Sequence, residues 1–270
     1  MPFYPHPARV FEVDTRYEEL AECDIIVNAA GHIEAAAASR DGELFVTTDE
    51  ARTFAKRISD AGFKGIWVNI ANPCDVVSTE IQYLTGCDPT RVIGSGTTLD
   101  SARFRHALSV ATGYPASCIN AWMLGEHGNG QFALWSHVTF GCLTDKEVEA
   151  QTGLKFDRAQ LEQDARMGGY VTYKGKHCTE YSIANGAVEV IGAIVNDTKL
   201  VTPVSTQLDN VYGASGFYSS LPAVIGKDGV EKVLVPELSD DEIAAWKKSC
   251  EHVKGNIDQL DWLKVDARVE

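Results

Sequence analysis

With 270 residues, 44% hydrophobic and 23% charged, the chain has enough apolar material for one large domain or two small ones. Its net charge of −14 argues against a nucleic-acid backbone or an anionic membrane as partner, so an anionic small molecule needs a local cation. Seven scattered cysteines without a CxxC or a zinc-like Cys/His spacing, no signal peptide and no membrane-length apolar run predict a cytoplasmic protein with reduced thiols.

The first half alternates strand and helix patterns. "DIIVNAAG" (24–31) is a β-branched run ending in small residues, followed by a helical stretch at 49–62. "GIWVNIANP" (65–73), "RVIGSG" (91–96), a helix over 99–113 and a fourth strand inside "CINAWMLGEHG" (118–128) continue the series, which predicts parallel βαβ units. Beyond it, "LWSHVTFGCL" (134–143) alternates like a half-exposed strand and 181–197 reads as a long buried helix. Residues 221–234 form a hairpin around Lys-Asp-Gly, and Ser239 to Glu242 is a capping box. The expected fold class is α/β, a partial Rossmann-type parallel sheet over 1–123 followed by an α+β domain over 124–270.

Ligands of parallel α/β sheets sit at the carboxyl ends of the strands. Ala30-Gly31, Asn72-Pro73, Gly94-Ser95-Gly96 and Gly125-Glu126-His127 occupy those ends. Asp100 and Arg103, three apart on a helix face, either form a plain intrahelical ion pair or divide two tasks, Asp100 holding an imidazole and Arg103 clamping a carboxylate. His127 is either a turn histidine or a proton carrier; taken alone it reads as the first, and its flanking glycines weaken that reading by leaving the ring open to a ligand. A metal-dependent hydrolase built on His127 and Glu126 lacks a second ligand at helical spacing, so no metal is expected.

Asn72-Pro-x-Asp75, Leu99-Asp100-x-Ala-Arg103 and Gly125-Glu-His127-Gly, in this order and spacing, make the chain resemble the L-lactate/malate dehydrogenase family from about residue 8 onward. The form Gly-Glu-His-Gly-Asn-x-Gln-Phe is most similar to the L-2-hydroxyisocaproate dehydrogenases within it. The resemblance implies NAD as cofactor, a small 2-oxo or 2-hydroxy monocarboxylic acid as substrate, and a homodimer or homotetramer. It implies His127 as general acid/base, Asp100 as its stabilising partner, and Arg40 as the carbonyl-polarising arginine of an active-site loop. Arg103 and Thr179 would bind substrate, Asn72 would face both nicotinamide and reacting oxygen, and Gly31, Ile70 and Ile183 would lie against the cofactor. Between Ile33 and Arg40 the residues are Glu-Ala-Ala-Ala-Ala-Ser, with no cation for a second carboxylate, which disfavours malate.

The family's strand and Gly-x-Gly-x-x-Gly turn have no counterpart: Gly31 is the first glycine of the sequence. A pyrophosphate then lacks its helix N-terminus, which predicts a truncated chain with weak or absent NAD binding and a poorly stable monomer. The alternative to an active dehydrogenase is a non-catalytic remnant that keeps the fold as a binding or assembly module.

Overall fold

Six strands lie side by side in simple chain order in the computed structural model, which describes residues 13–31, 35 and 42–270. They are β1 (Ile25–Asn28), β2 (Ile66–Asn69), β3 (Val92–Gly94), β4 (Leu200–Gln207), β5 (Tyr218–Gly226) and β6 (Gly229–Val233). β1, β2 and β3 are parallel, with Ile25 opposite Ile66 and Trp67 opposite Val92. β4 joins β3 antiparallel through one pair, Gly94 and Ser205, and β5 and β6 continue antiparallel.

Helices α1 (Leu44–Asp60) and α2 (Cys74–Thr85) connect the parallel strands, and α3 (Thr98–Thr112) follows β3. The buried positions of α1, Leu44, Thr47, Thr48, Ala51, Ala55 and Ile58, repeat every three or four residues as an amphipathic helix requires. Gly86 and Gly113 stop α2 and α3 in the left-handed conformation, at φ 60° and 74°. Ile26, Trp67 and Val92 meet Ala51, Ile58, Val77 and Ile81 on one face of the sheet. Ile66, Val68 and Ile93 meet Val190, Ala193 and Ile194 of α6 (Glu180–Asn196) on the other. Burial on both faces is why β2 and β3 read as nearly continuous apolar runs, while the edge strand β1 leaves Val27 exposed.

Three expectations need correction. Residues 118–128 add no fourth parallel strand: Ile119–Asn120 and Met123–Leu124 are two-residue strands in small antiparallel pairs outside the main sheet. Residues 134–143 are no single strand either. They hold a 3-10 turn at Trp135–His137 and the short strand Thr139–Phe140, packed with Phe104, Leu108, Val148 and Leu161. Finally, α6 is buried on one side only, with Val188 65% and Val195 69% exposed. The division near residue 123 does not part the sheet, because β4, β5 and β6 complete it.

The hairpin of β5 and β6 turns at Lys227-Asp228, and Gly229 takes the φ of 97° that the turn needs. Ser239 and Glu242 form the capping box that opens α7 (Asp240–Ile257). All seven cysteines are unbridged. Among the described residues no helix is long and apolar enough to cross a membrane.

Glu80 of α2 is a buried carboxyl inside this framework. Trp262 Nε1 donates to its Oε1 at 2.9 Å, Arg52 lies 3.9 Å over the Trp262 ring, and Oε2 has no hydrogen-bond partner among the described residues. Burial pushes Glu80 from the ordinary 4.5 up to about 8, against the pull of Trp262 and Arg52. The folded state therefore holds a proton there that the unfolded chain has lost, and stability falls as pH rises from 4.5 to about 8. Urea midpoints measured across that window should decline in the wild type and decline less in Glu80→Gln. Equal slopes would show that Glu80 is already ionised in the fold.

Candidate active site

The strand ends, the first turns of α3 and the start of α6 converge on one pocket of about 430 Å³. Gly31 follows β1, and Ile70 and Asn72 follow β2, with a cis bond between Asn72 and Pro73. Arg103 comes from α3, His127 from the loop after Met123–Leu124, and Thr179 and Ile183 from the start of α6. All seven of these residues line the pocket. Asp100 lies fully buried behind His127. Arg40 falls outside the described residues. Gly94-Ser95-Gly96, the remaining strand end, is not among the lining residues.

Local chemistry explains how distant residues meet. Thr97 and Ser101 share the buried face of α3 with Phe104 and Leu108. Thr97 Oγ1 donates to the Met123 carbonyl at 2.6 Å, and Met123 N donates to Ser101 Oγ at 2.9 Å. These bonds pin residue 123 beside the helix that carries Asp100, so the following loop delivers His127 to it. His127 Nδ1 lies 2.6 Å from Asp100 Oδ2, and Arg103 Nη1 donates to Asp100 Oδ1 at 3.0 Å. The two readings of the Asp100–Arg103 pair thus coexist: the ion pair forms, and the same carboxylate also holds the imidazole.

The glycines of "GEHGNG" also meet a packing requirement of the loop itself. A Cβ on Gly128 would collide with Glu126 Oε1, and one on Gly125, at φ 87°, with Ser249 Oγ. The loop is folded around the buried Glu126 carboxylate, which accepts from Gly130 N at 2.5 Å, while Glu126 N donates to Ser249 Oγ at 2.7 Å. Gly168 of α5 (Arg158–Lys176) plays a similar part, since a Cβ there would stand 2.7 Å from Arg103 Cδ.

Several residues at the site escaped the sequence reading. Asn28 and Asn69 end β1 and β2 and are buried; Asn28 Nδ2 donates to Asn69 Oδ1 at 2.9 Å. Each also accepts from the backbone two residues on, Ala30 N and Ala71 N, which shapes the two loops at the pocket floor. The signal was a polar residue closing each β-branched run. Glu43, Glu126, Tyr170, Tyr173, Cys178 and Glu180 also line the pocket, and only Glu126 drew notice in the sequence. Hydrogen bonds from the Cys178 thiol, from its own backbone and from Lys176 hold Glu180 down to about 2, so it is ionised.

Chemically, the arrangement offers a proton carrier backed by a buried carboxylate and one guanidinium for an anion. Gly128→Ala is expected to cost about 1–3 kcal/mol by overpacking, because the Glu126 carboxylate cannot move without breaking its bond to Gly130. Chemical denaturation reads this directly; an unchanged midpoint would mean that the loop is not wrapped around Glu126.

Comparison with known proteins shows what the chain is similar to. Residues 97–262 match the model of the lactate/malate dehydrogenase, alpha/beta C-terminal domain. The chain is 34% identical over 259 residues to an L-lactate dehydrogenase of Fusobacterium nucleatum, covering 95% of this chain and 80% of that one. Among solved structures it is similar to the minor L-lactate dehydrogenase of Enterococcus mundtii, at TM-score 0.85, 27% identity, and 90% and 78% coverage. It is also similar to Cryptosporidium parvum malate dehydrogenase, at TM-score 0.86, 28% identity, and 91% and 79% coverage.

Proposed function

Because the chain belongs to the lactate/malate dehydrogenase family, we propose that it is an NAD-dependent L-2-hydroxyacid dehydrogenase of L-lactate or L-2-hydroxyisocaproate type. Its substrate would be an apolar 2-oxo monocarboxylic acid, reduced reversibly to the 2-hydroxy acid. The observation that carries this is the His127–Asp100 contact of 2.6 Å beside Arg103 in a single pocket.

The nicotinamide end of NAD fits the residues present. Gly31, Ile70, Asn72 and Ile183 line the same pocket. Beside Gly31, Thr47 Oγ1 is buried with no hydrogen-bond partner among the described residues. When bound, the cofactor supplies the hydride. The other tasks fall to the chain. Asp100 accepts from Nδ1–H of His127, which leaves Nε2 to give its proton to the substrate's carbonyl oxygen. Arg103, with Nη1 on Asp100, has the rest of its fork for the substrate carboxylate. Asn72 and Thr179 orient the substrate, and Arg40 is proposed to polarise the carbonyl, where a cation stabilises the developing alkoxide.

Among the described lining residues Arg103 is the one guanidinium or ammonium, while Glu43, Glu126 and Glu180 bring carboxylates. A second carboxylate on the substrate would be left among like charges, which supports a monocarboxylate over malate or oxaloacetate. The unbridged cysteines support a reducing compartment such as the cytoplasm. The exposed apolar side of α6 supports assembly into dimers or tetramers.

Reduction of pyruvate, 4-methyl-2-oxopentanoate and oxaloacetate, compared at the highest NADH concentration the assay tolerates, tests the substrate class. The two monocarboxylates should be turned over and oxaloacetate should lag; the reverse order overturns the proposal. His127→Asn should lower kcat/KM by roughly 10² to 10⁴, with the circular-dichroism spectrum unchanged.

The adenosine end fits less well. The sequence holds no Gly-x-Gly-x-x-Gly, so a pyrophosphate finds no glycine turn leading into a helix N-terminus. Titration of the purified chain with NADH, followed by fluorescence, should show weak, unsaturated binding. A tight complex would defeat this expectation and point to another phosphate grip.

A further inference from the structure

Asp75 is the fourth member of the Asn-Pro-x-Asp motif, and the proposed reaction leaves it without a task. It sits in the first turn of α2, 2% exposed, and its two oxygens reach different parts of the molecule. Oδ2 accepts from the backbone N–H of His127 at 2.8 Å. Oδ1 accepts from Ser205 Oγ at 2.5 Å, on β4 at its single pairing with β3. One buried carboxyl therefore ties the loop that carries the imidazole to the sheet.

We propose that Asp75 is a positioning residue for His127: its carboxylate fixes the His127 backbone and, when ionised, favours the protonated imidazole. The contact is to the backbone, so the loop geometry survives if the acceptor is kept without its charge. The field at the imidazole then changes. A buried charge this close is poorly screened, and an anion stabilises a neighbouring cation.

The groups facing Asp75 come from every element around it. On α2 it neighbours Cys74; the loop brings Glu126 and His127, β4 brings Ser205, and α7 brings Cys250. Burial pushes the Cys74 thiol up to about 12 and raises Cys250 as well, so both stay neutral at physiological pH. Burial, with Glu126 adding to it, also lifts Asp75 to about 7, against the hydrogen bonds from Ser205 and His127. Asp75 therefore loses its proton near neutrality. Below that point the protonated carboxyl can donate to Ser205 and keep its other oxygen on His127 N, so the loop stays seated while the charge disappears.

This inference rests on His127 as the proton carrier, and its test reads the ring itself, without turnover. The full chain is labelled with ¹⁵N-histidine, and the imidazole of His127, assigned by its loss in His127→Asn, is titrated by NMR. In Asp75→Asn, which keeps an acceptor for His127 N, the His127 midpoint should move to lower pH with its backbone amide shift nearly retained. Ser205→Ala removes a bond that holds Asp75 down, and should move the midpoint the same way by a smaller amount. It also serves if Asp75→Asn fails to fold. Midpoints equal to wild type in both variants, or in Ser205→Ala where that alone folds, overturn the role of Asp75. A shifted midpoint in a chain that reduces no 2-oxo acid instead overturns the proposed activity and leaves the coupling standing.

Discussion

The carboxylate of Asp100 is shared between an imidazole and a guanidinium, and the site depends on that sharing. One oxygen holds the imidazole of His127 and the other the guanidinium of Arg103. Removed from water, such a carboxylate is stable only when both oxygens are satisfied. The requirement explains much of the surrounding architecture. Thr97 and Ser101 bring the backbone of residue 123 against the helix, Gly168 leaves space for Arg103, and the glycines at 125, 128 and 130 let the histidine loop close on Glu126.

Acid groups recur at this end of the sheet in graded environments. Asp100 meets two cationic or potentially cationic side chains, Asp75 meets only neutral donors, and Glu126 is wrapped by backbone. Three carboxyls of similar chemistry therefore serve three purposes: an electrostatic partner, an anchor and a template for a loop. What separates them is the partner each oxygen finds, which is a property of the fold and not of the residue type.

That distinction also marks what could be read from the chain. The parallel strands at 65–73 and 91–96, with the helices that follow them, were legible because both faces of their strand cores are buried, and 24–31 was legible as a β-branched run although Val27 is exposed. Asp100, Arg103 and His127 were legible as a spaced set, and the pocket brings Arg103 and His127 together in front of Asp100. The stretch 134–143 misled because Trp135 and Val138 are buried from a 3-10 turn, whose spacing of three mimics an uneven alternation. Asn28 and Asn69 stayed invisible because their partnership crosses neighbouring strands, and linear spacing carries no information about which residues become neighbours. The glycines around His127 carry a second requirement invisible in the sequence: their missing side chains make room for Ser249 and Glu126.

The single pairing between β3 and β4 has a consequence for how the chain reaches this state. Asp75 finds its serine 130 residues further along, and Thr97 N finds Ser220 Oγ 123 residues on. The parallel strands are synthesised early, yet the edge of β3 and the acid beside it stay unfinished until the last third of the chain emerges. Such long-range closure is slow and leaves apolar strands waiting. The order of assembly is thus written into the topology: β1, β2 and β3 can pair early, but the outer edge of β3 gains its neighbour only when the later strands arrive.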